Sequence, residues 1–552
     1  MREPLTSAAV ERTRMRQRPR AAAIAIRLGL GAALAGPALA LVGPVLAGPE
    51  QSPQKGGTAV FVIGADPPSA NPVLTSSSDV GLAGCLVYQA LTTVEPDGSV
   101  VPMLAKSWTI SDDGKTYSFE LNKASWQDGQ PFTSADVKYS LPQANAKYHP
   151  IFSAAGRLID SIDTPAPDRV VVHLKESFGP FLLSLGCFHG GAILPQHLFE
   201  GTDVPTNPAS TTKPVGTGAF MVTSWTRGDN IHFVKNPNYW EPGKPYLDEL
   251  IGKIITQPPA RTQALLSGEA DFLTYFYLPV TDYDTVRANP DYQLTKSPVA
   301  PSQDILFFNV TRKPLDDKRV RHALMIATDR DYLMRSAFRN IGIVGTSPFS
   351  KGAAWWTDPS IDFETMYPFD PARANAMLDE AGVKKGTDGI RFQARFVYAT
   401  DDAESAAVAV AIKNMWRAIG VDVVIDAAER TTTTQKMFVD RDFDLSLTAY
   451  TSYFDPALGL ARAFITSRIG KPFGNPTGYS NPTVDAMFAQ AESLTSQQQR
   501  GAVYRQIQRI LADDLPEINL RDRLPMDASS KKLHGMEKEN PLATWRDAWL
   551  EH

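Results

Sequence analysis

The chain has 552 residues, of which 43% are hydrophobic and 21% charged, and its net charge is −5 at neutral pH. This length exceeds what one hydrophobic core usually serves, so we expect two or three domains that need no metal or disulfide for stability. The acidic balance argues against a nucleic-acid partner or an anionic membrane surface.

The first 47 residues have the pattern of an export signal. Five arginines between Arg12 and Arg20 precede an Ala/Leu/Gly-rich stretch, and Val45-Leu46-Ala47 offers a cleavage site before Gly48. Glycines and prolines interrupt the apolar stretch, which disfavours a permanent membrane helix. We therefore expect cleavage near Ala47 and a periplasmic mature chain with a net charge of about −10. Translation starts at Met1 or Met15, and the sequence does not decide between them.

The first half of the mature chain is rich in predicted strands and turns. Residues 59–63 form a predicted strand, and a Pro/Ser-rich loop follows. Glycine turns between apolar segments predict hairpins over residues 94–132. A helix is predicted over residues 133–141 and a strand over 169–175.

Gly216 and Gly218 flank Thr217 in a pattern that resembles the start of a phosphate loop. Residues 220–225 and 231–235 then alternate with period two on either side of a turn, which predicts a hairpin instead of a helix. Without a helix N-terminus, no phosphate site forms here. We assign the two glycines a backbone role in a tight turn that enters a strand.

The second half alternates between predicted helices and strands. Asp370 and Pro371 begin a helix that ends before Gly382. The later predicted elements are strand 390–398, helix 404–419, strand 421–427, helix 431–439 and strand 443–450. This alternation predicts a βαβ domain with a largely parallel sheet. A short polar segment at residues 298–303 divides the two halves.

The order of motifs along the mature chain resembles the extracellular solute-binding proteins of family 5, the peptide, nickel and opine type that serves ABC importers. The motifs are KGGTAVF with ADPPSANP, SWTISDDGKTYSFELNKASWQDGQPFTSADVKYSL, PVGTGAF, NPNYWEPGKPYLDEL, LLSGEADF and FFNVTRKPLDDKRVRHALMIATDRDYLM. The resemblance implies an α/β fold with two lobes, the type II periplasmic binding-protein fold. The larger lobe comes from both chain ends, and a βαβ lobe is inserted between them.

From this resemblance we expect lobe I over residues 48–304, with a hairpin-rich subdomain at about 94–213. Lobe II then spans 305–523, and residues 524–552 return to lobe I. The implied function is that of a monomeric periplasmic receptor that closes on an oligopeptide or another small organic solute and delivers it to inner-membrane permease subunits. The alternative ligands are a nickel chelate, an opine or a sugar. No cofactor and no resident metal are expected.

The candidate ligand contacts cluster after two predicted strands and in the Ser-rich loop near the N-terminus, because ligands of open α/β sheets bind at the carboxyl ends of strands. They are Thr75, Ser76, Ser77, Ser78, Tyr398, Asp401, Tyr450, Ser452, Tyr453 and Asp455. For Asp455 the alternative is a turn cap before Pro456. For Thr75 and the serines at 76–78, the alternative is that they belong to a solvated loop without ligand contact. For the aromatic residues, the alternative is a position in the hydrophobic core.

Two positions depart from the pattern of peptide-binding members. Ser452 occupies the place of their amine-binding Asp, and the loop that begins at Ala399 lacks their carboxylate-binding Arg. A zwitterionic dipeptide is therefore disfavoured.

Enzymatic readings find little support, since the chain has no G-x-S-x-G elbow, HExxH helix or Walker loop. A binding protein is expected, and a secreted hydrolase is the remote alternative. Cys85 and Cys187 are the only cysteines; they either pair or stay as buried thiols.

Overall fold

The computed structural model describes residues 52–400, 402–536 and 544–552. The predicted signal peptide and Asp401 lie outside these described residues. Within these ranges, no helix combines the length and the hydrophobicity that crossing a membrane requires.

The strands are numbered in chain order. They are β1 (Thr58–Ile63), β2 (Thr92–Val94), β3 (Val100–Pro102), β4 (Ala105–Ile110), β5 (Thr116–Leu121), β6 (Ile159–Ala166), β7 (Arg169–Leu174), β8 (Phe220–Thr226), β9 (Asn230–Lys235), β10 (Glu249–Ile254), β11 (Phe272–Leu273), β12 (Tyr292–Lys296), β13 (Ser302–Phe308), β14 (Ile343–Val344), β15 (Phe392–Ala399), β16 (Val421–Ala428), β17 (Leu445–Thr451), β18 (Glu517–Asp522), β19 (Met526–Ser530), β20 (Leu533–His534) and β21 (Trp549–Leu550).

The α-helices follow the same numbering. They are α1 (Ser78–Gly84), α2 (Ser134–Tyr139), α3 (Ala146–Tyr148), α4 (Phe152–Gly156), α5 (Phe181–Ser184), α6 (Gln196–Phe199), α7 (Pro208–Thr211), α8 (Pro258–Leu266), α9 (Tyr283–Ala288), α10 (Lys318–Ile326), α11 (Arg330–Ser336), α12 (Phe363–Met366), α13 (Pro371–Glu380), α14 (Ala403–Arg417), α15 (Arg430–Thr434), α16 (Pro456–Gly459), α17 (Pro482–Ser493) and α18 (Gln497–Asp514). The predicted helices over 133–141 and 431–439 are α-helical only in their first part and π-helical afterwards.

The first sheet has the strand order β12-β19-β11-β1-β10-β9-β8 and therefore combines strands from both ends of the described chain. The predicted hairpin is confirmed, because β8 and β9 pair antiparallel. Gly216 and Gly218 enter it across the backbone of Leu86 and Val87, where a Cβ on Gly216 would lie 1.8 Å from the Val87 carbonyl oxygen. The glycines are thus required by a close approach of two backbones.

The second sheet has the order β14-β18-β13-β17-β15-β16 and corrects the expectation of a largely parallel sheet. Only β15 pairs parallel, with β16 and β17; the other pairs are antiparallel. Both faces of this sheet are covered: Leu306 and Phe308 pack into one hydrophobic cluster, Ile305 and Phe307 into another. The apolar run ILFF is therefore typical of a strand buried on both sides.

Two helices of this lobe begin as their sequences predict. The Asp370 carboxylate accepts a hydrogen bond from the Arg373 backbone N–H at 2.9 Å, with Pro371 as the first helical residue of α13. Asp402 caps α14 in the same way through the backbone N–H of Ser405. Each cap satisfies a backbone donor that the helix itself leaves free.

The chain passes between the two sheets twice, over residues 297–301 and 523–525, which lie side by side. The Ser297 backbone N–H donates to the Pro525 carbonyl and the Arg523 N–H donates to the Ser302 carbonyl, each at 2.9 Å. The fold is thus two-lobed, with the larger lobe built from both chain ends and the second lobe inserted.

Glu517 begins β18 in the second lobe and is buried. Neither of its carboxylate oxygens has a hydrogen-bond partner among the described residues. Burial accordingly raises the pKa of Glu517 well above its usual value.

We expect Glu517→Gln to stabilise the protein at pH 8 by roughly 1–3 kcal/mol, because the glutamine amide cannot ionise, whereas burial opposes ionisation of the Glu517 carboxyl. The pKa of Glu517 is higher in the folded than in the unfolded state. The wild type therefore keeps its full free energy of unfolding below the unfolded-state pKa of Glu517, and it loses this group's contribution as the pH rises from there through the folded-state pKa. Urea unfolding at about pH 5 and pH 8 measures this difference. The control variant Glu200→Gln changes an exposed side chain, and its free energy of unfolding should be close to that of the wild type at both pH values. A Glu517→Gln advantage that does not grow with pH contradicts the assignment.

Candidate binding cleft

A cavity of about 430 Å³ lies between the two lobes. Its walls come from the loop before α1, the segments around residues 188 and 275, the crossovers, and the end of β17. The lining residues are Ser76, Ser78, Phe188, His189, Tyr275, Phe276, Val299, Ala300, Ser302, Ala449, Tyr450, Thr451, Tyr453, Phe454 and Arg523. Aromatic rings with a few polar groups are typical of a site for a small organic ligand.

Arg523 is the one charged side chain among these lining residues. Its Nε donates to Asp304 at 2.9 Å, and its guanidinium lies 3.5 Å from Glu404. The side chain is nevertheless 41% exposed, and nearby Asp304 raises its pKa. Part of the guanidinium is therefore available to an anion in the cavity.

Arg521 is the buried neighbour of Arg523 and completes this ion network. Its Nε donates to Asp304 at 2.6 Å, and two of its guanidinium nitrogens contact Glu404 at 2.8 and 3.0 Å. Arg521 and Asp304 are 3% and 5% exposed, so each compensates the other's buried charge.

His189 faces Tyr453 across the cavity with its ring perpendicular to the tyrosine, the centroids 5.9 Å apart. The Nδ1 atom of His189 lies 2.9 Å from the Leu183 carbonyl oxygen, so this nitrogen carries the proton. Burial lowers the pKa of His189 to about 4, which keeps the imidazole neutral at neutral pH. Its Nε2 is then a hydrogen-bond acceptor, and no described residue donates to it.

The loop after β17 presents Tyr453 and Phe454 in left-handed backbone conformations, with φ of 50° and 65°. Such conformations cost about 1–3 kcal/mol each in residues other than glycine, so the surrounding structure must hold them. Ser452 provides one anchor, because its backbone N–H donates to the Pro301 carbonyl at 2.9 Å. Asp455 provides the other by capping α16 through the Ala457 backbone N–H.

A disulfide joins Cys85 to Cys187, with the Cα atoms 6.1 Å apart, and decides between the two states that the sequence left open. Cys85 directly follows α1, which begins at the cavity with Ser78. Cys187 directly precedes Phe188 and His189. The disulfide therefore ties together two segments of the first-lobe wall.

A family model of bacterial extracellular solute-binding proteins, family 5 Middle, matches residues 99–471. The glutathione-binding protein GsiB of Salmonella typhimurium is 30% identical over 461 residues, which cover 81% of this chain and 85% of that protein. The chain belongs to the family 5 solute-binding proteins. Members of this family are the solute-binding components of ABC importers, and the family is one of binding proteins and not of enzymes.

Solved structures of this family share the fold. The oligopeptide-binding protein AppA of Bacillus subtilis, in complex with a nonapeptide, is 25% identical with a TM-score of 0.72; the match covers 91% of this chain and all of AppA. HbpA2 of Haemophilus parasuis has a TM-score of 0.77 at 21% identity, covering 90% of this chain and all of HbpA2. The two-lobed family 5 architecture is therefore that of known solute-binding proteins.

Four of the residues predicted from the sequence line the cavity of this family 5 protein: Ser76, Ser78, Tyr450 and Tyr453. Thr75 and Ser77 belong to the same loop but are not part of the lining; Ser77 directly precedes α1. Asp401, the remaining acidic candidate after β15, lies outside the described residues.

Three predicted contacts are not placed at the cavity. Asp455 is fully buried, caps α16, and accepts hydrogen bonds from Arg500 at 2.9 Å and the Tyr504 hydroxyl at 2.6 Å, so both of its carboxylate oxygens have protein partners. The Ser452 hydroxyl donates to the Pro301 carbonyl at 3.1 Å. Tyr398 packs at the edge of a second-lobe hydrophobic cluster, because alternate residues of β15 point to opposite faces.

The predicted contacts do not include the other eleven lining residues, above all His189, Tyr275 and Arg523. These residues carry no local motif and reach the cavity only through long-range folding. Tyr275 is positioned by its backbone N–H, which donates to Asp527 at 2.8 Å. For Arg523 one signal existed, since it stands beside the predicted return to the first lobe at about residue 524.

We expect Arg521→Met to destabilise the protein by about 1.5–3 kcal/mol, because buried Asp304 loses one of its two guanidinium partners and keeps only Arg523. Equilibrium urea unfolding measures the change. The matched control is Arg417→Met, which removes an exposed guanidinium paired with Asp422 and should change stability by no more than about 0.5 kcal/mol. Equal urea midpoints for Arg521→Met and Arg417→Met would show that the ion network of Arg521, Arg523, Asp304 and Glu404, here called the hinge network, contributes little to the stability of the protein.

Proposed function

We propose that this chain is an exported, monomeric receptor of an ABC importer that captures a small peptide-like acid and delivers it to the permease, without catalysis. The observation that carries the proposal is Arg523, the single charge among the described residues that line the interlobe cavity. Export follows from the signal pattern, with cleavage near Ala47 and a periplasmic location. The proposed lobes, 48–304 with 524–552 and 305–523, meet at the two crossovers.

The walls of the cavity support a ligand of this class. A guanidinium binds a carboxylate through charge-assisted hydrogen bonds, and none of the described lining residues offers a carboxylate for a ligand ammonium group. The rings of Phe188, Tyr275 and Phe276 offer apolar contact to the body of the ligand. The names of two relatives, a glutathione-binding protein and a protein solved with a nonapeptide, support a peptide-like body.

A ligand held this way contacts both lobes at once. Ser76 and His189 belong to the first lobe, Tyr450 and Tyr453 to the second, and Arg523 to a crossover. Contacts that form only when the lobes are together favour the closed state over the open one. Binding thereby becomes a change of shape that a permease can recognise.

A second candidate ligand is a transition-metal chelate, which the bare Nε2 of His189 favours. A neutral imidazole nitrogen is a good donor to such metals, and a chelate brings its other donors with it. A neutral sugar is disfavoured, since it offers Arg523 no anion. An opine, which carries carboxylates, falls within the class of acids already proposed.

We expect Arg523→Gln to weaken binding of an acidic peptide-type ligand about 10- to 100-fold, because hydrogen bonds to charged groups contribute about 1.5–3 kcal/mol. Isothermal titration calorimetry with reduced glutathione, a panel of tri- to hexapeptides and their amidated forms measures the effect. The control Arg287→Gln removes an exposed guanidinium paired with Asp284 and should bind like the wild type.

Two results contradict this proposal. One is a lack of binding to every peptide-type acid by the wild type, while a sugar or a metal chelate raises its melting temperature. The other is equal affinity of the wild type and Arg523→Gln for the same acid. A melting temperature for Arg523→Gln close to that of the wild type shows that the hinge is intact in the variant.

A further inference from the structure

A second cavity, of about 1010 Å³, lies beside the first and also opens between the lobes. One wall comes from residues 150–158 and 176–178 of the first lobe. The other comes from residues 457–474 and 489–493 of the second lobe. Tyr453 lines both cavities, so they meet at this ring.

Cations outnumber carboxylates along this second cavity. The charged lining residues are Arg157, Arg462, Arg468 and Lys471 against Glu176 and Glu492. Burial, followed by the charge of Asp455, raises the pKa of Glu492 to about 7, so this carboxyl is partly protonated near neutral pH. The excess of positive charge is notable in a chain whose net charge is −5. A surface of this sign attracts anions.

Three of the four cations of the second cavity form no ion pair among the described residues. In the described part of the chain, Arg462, Arg468 and Lys471 make no salt bridge within 4.0 Å. Arg462 donates through Nε to the Gly459 carbonyl at 3.0 Å, and its side chain lines the cavity. These three cations therefore have no carboxylate within 4.0 Å among the described residues, although Arg468 lies near enough to Glu492 to lower the pKa of that carboxyl.

Arg462 also links the two cavities. Its guanidinium lies 4.9 Å from the centroid of the Tyr450 ring, and that ring lines the first cavity. This contact fixes the stem of Arg462 at the boundary between the cavities. An occupant that extends past Tyr453 enters a cavity that Arg462, Arg468 and Lys471 line.

We propose that the second cavity is a subsite for the acidic distal part of an elongated ligand whose other end binds in the first cavity at Arg523. This inference rests on the proposed function and specifies its substrate class: a peptide-like molecule with a carboxylate at one end and further acidic groups at the other. Because the walls belong to both lobes, an occupant touches both only in the closed form. A permease docking on an outer face makes no such contact.

The test compares pairs of hexapeptides that differ only in carrying two Glu or two Gln at one end, with both orientations included. We expect the wild type to bind one Glu form at least tenfold more tightly than its Gln partner, measured by calorimetry at low salt. Arg468→Ser/Lys471→Ser should abolish this preference. Arg523→Gln should weaken both peptides and leave the preference in place.

The control Lys384→Ser/Lys385→Ser removes the same charge from an exposed second-lobe segment and should keep the preference. Citrate serves as a probe that needs no peptide affinity: it should raise the melting temperature of the wild type and of Arg523→Gln more than that of Arg468→Ser/Lys471→Ser. Failure of every peptide to bind, with this citrate difference retained, overturns the proposed function but supports the subsite.

Two results overturn the subsite proposal while leaving the role of Arg523 intact. One is equal affinity of the wild type for the Glu and the Gln peptides. The other is the same Glu preference in Arg468→Ser/Lys471→Ser and in Lys384→Ser/Lys385→Ser. The subsite proposal is also overturned by a variant Arg468→Ser/Lys471→Ser that binds acidic peptides like the wild type but no longer stimulates ATP hydrolysis by the permease. In that case the cations form a docking surface for the transporter.

Discussion

Four charged side chains form one ion network beside the two crossovers of the chain, and the packing of β13, β18 and α14 at this place depends on them. Asp304 on β13 faces Arg521 on β18, Arg523 lies one residue beyond β18, and Glu404 reaches both arginines from α14. Separating these charges in a buried setting costs several kcal/mol. The network therefore keeps β13, β18 and α14 together at the point where both crossovers join the second lobe.

Arg523 has two roles in this arrangement, because one side of its guanidinium belongs to the hinge network and the other faces the cavity. A ligand anion at Arg523 thus adds its charge to a network that is already balanced. One such contact is too weak to close the lobes alone: shifting an equilibrium from 1:99 to 99:1 requires about 5.5 kcal/mol of differential binding. Contacts from both lobes, such as those of His189 and Tyr453, must supply the remainder.

The parts of the site that the sequence predicts are those carried by local patterns. Ser76 and Ser78 stand in a loop ahead of a helix, and Tyr450 and Tyr453 stand at the end of a strand, so chain order alone places them. Asp455 shows the limit of such reasoning, since a helix cap and a ligand contact need the same residue type at the same place. The partners that occupy its carboxylate, Arg500 and Tyr504, stand 45 and 49 residues further on and form no local pattern with it. His189 could not be predicted as a lining residue because its position also depends on distant residues. The segment that carries it is joined to Cys85 by the disulfide from Cys187.

The mixed second sheet has a topological cause that strand and helix alternation does not reveal. β13 carries the chain into the inserted lobe, and β18 carries it out through the same narrow connection. Two strands that enter and leave side by side must run in opposite directions, and they pair antiparallel here. Only the strands between them, which do not cross to the other lobe, are free to form the parallel βαβ arrangement seen in β15 and β16. An inserted lobe thus carries antiparallel pairing at its entrance, and this pairing brings Asp304 opposite Arg521 and sets Arg523 at the mouth of the cleft.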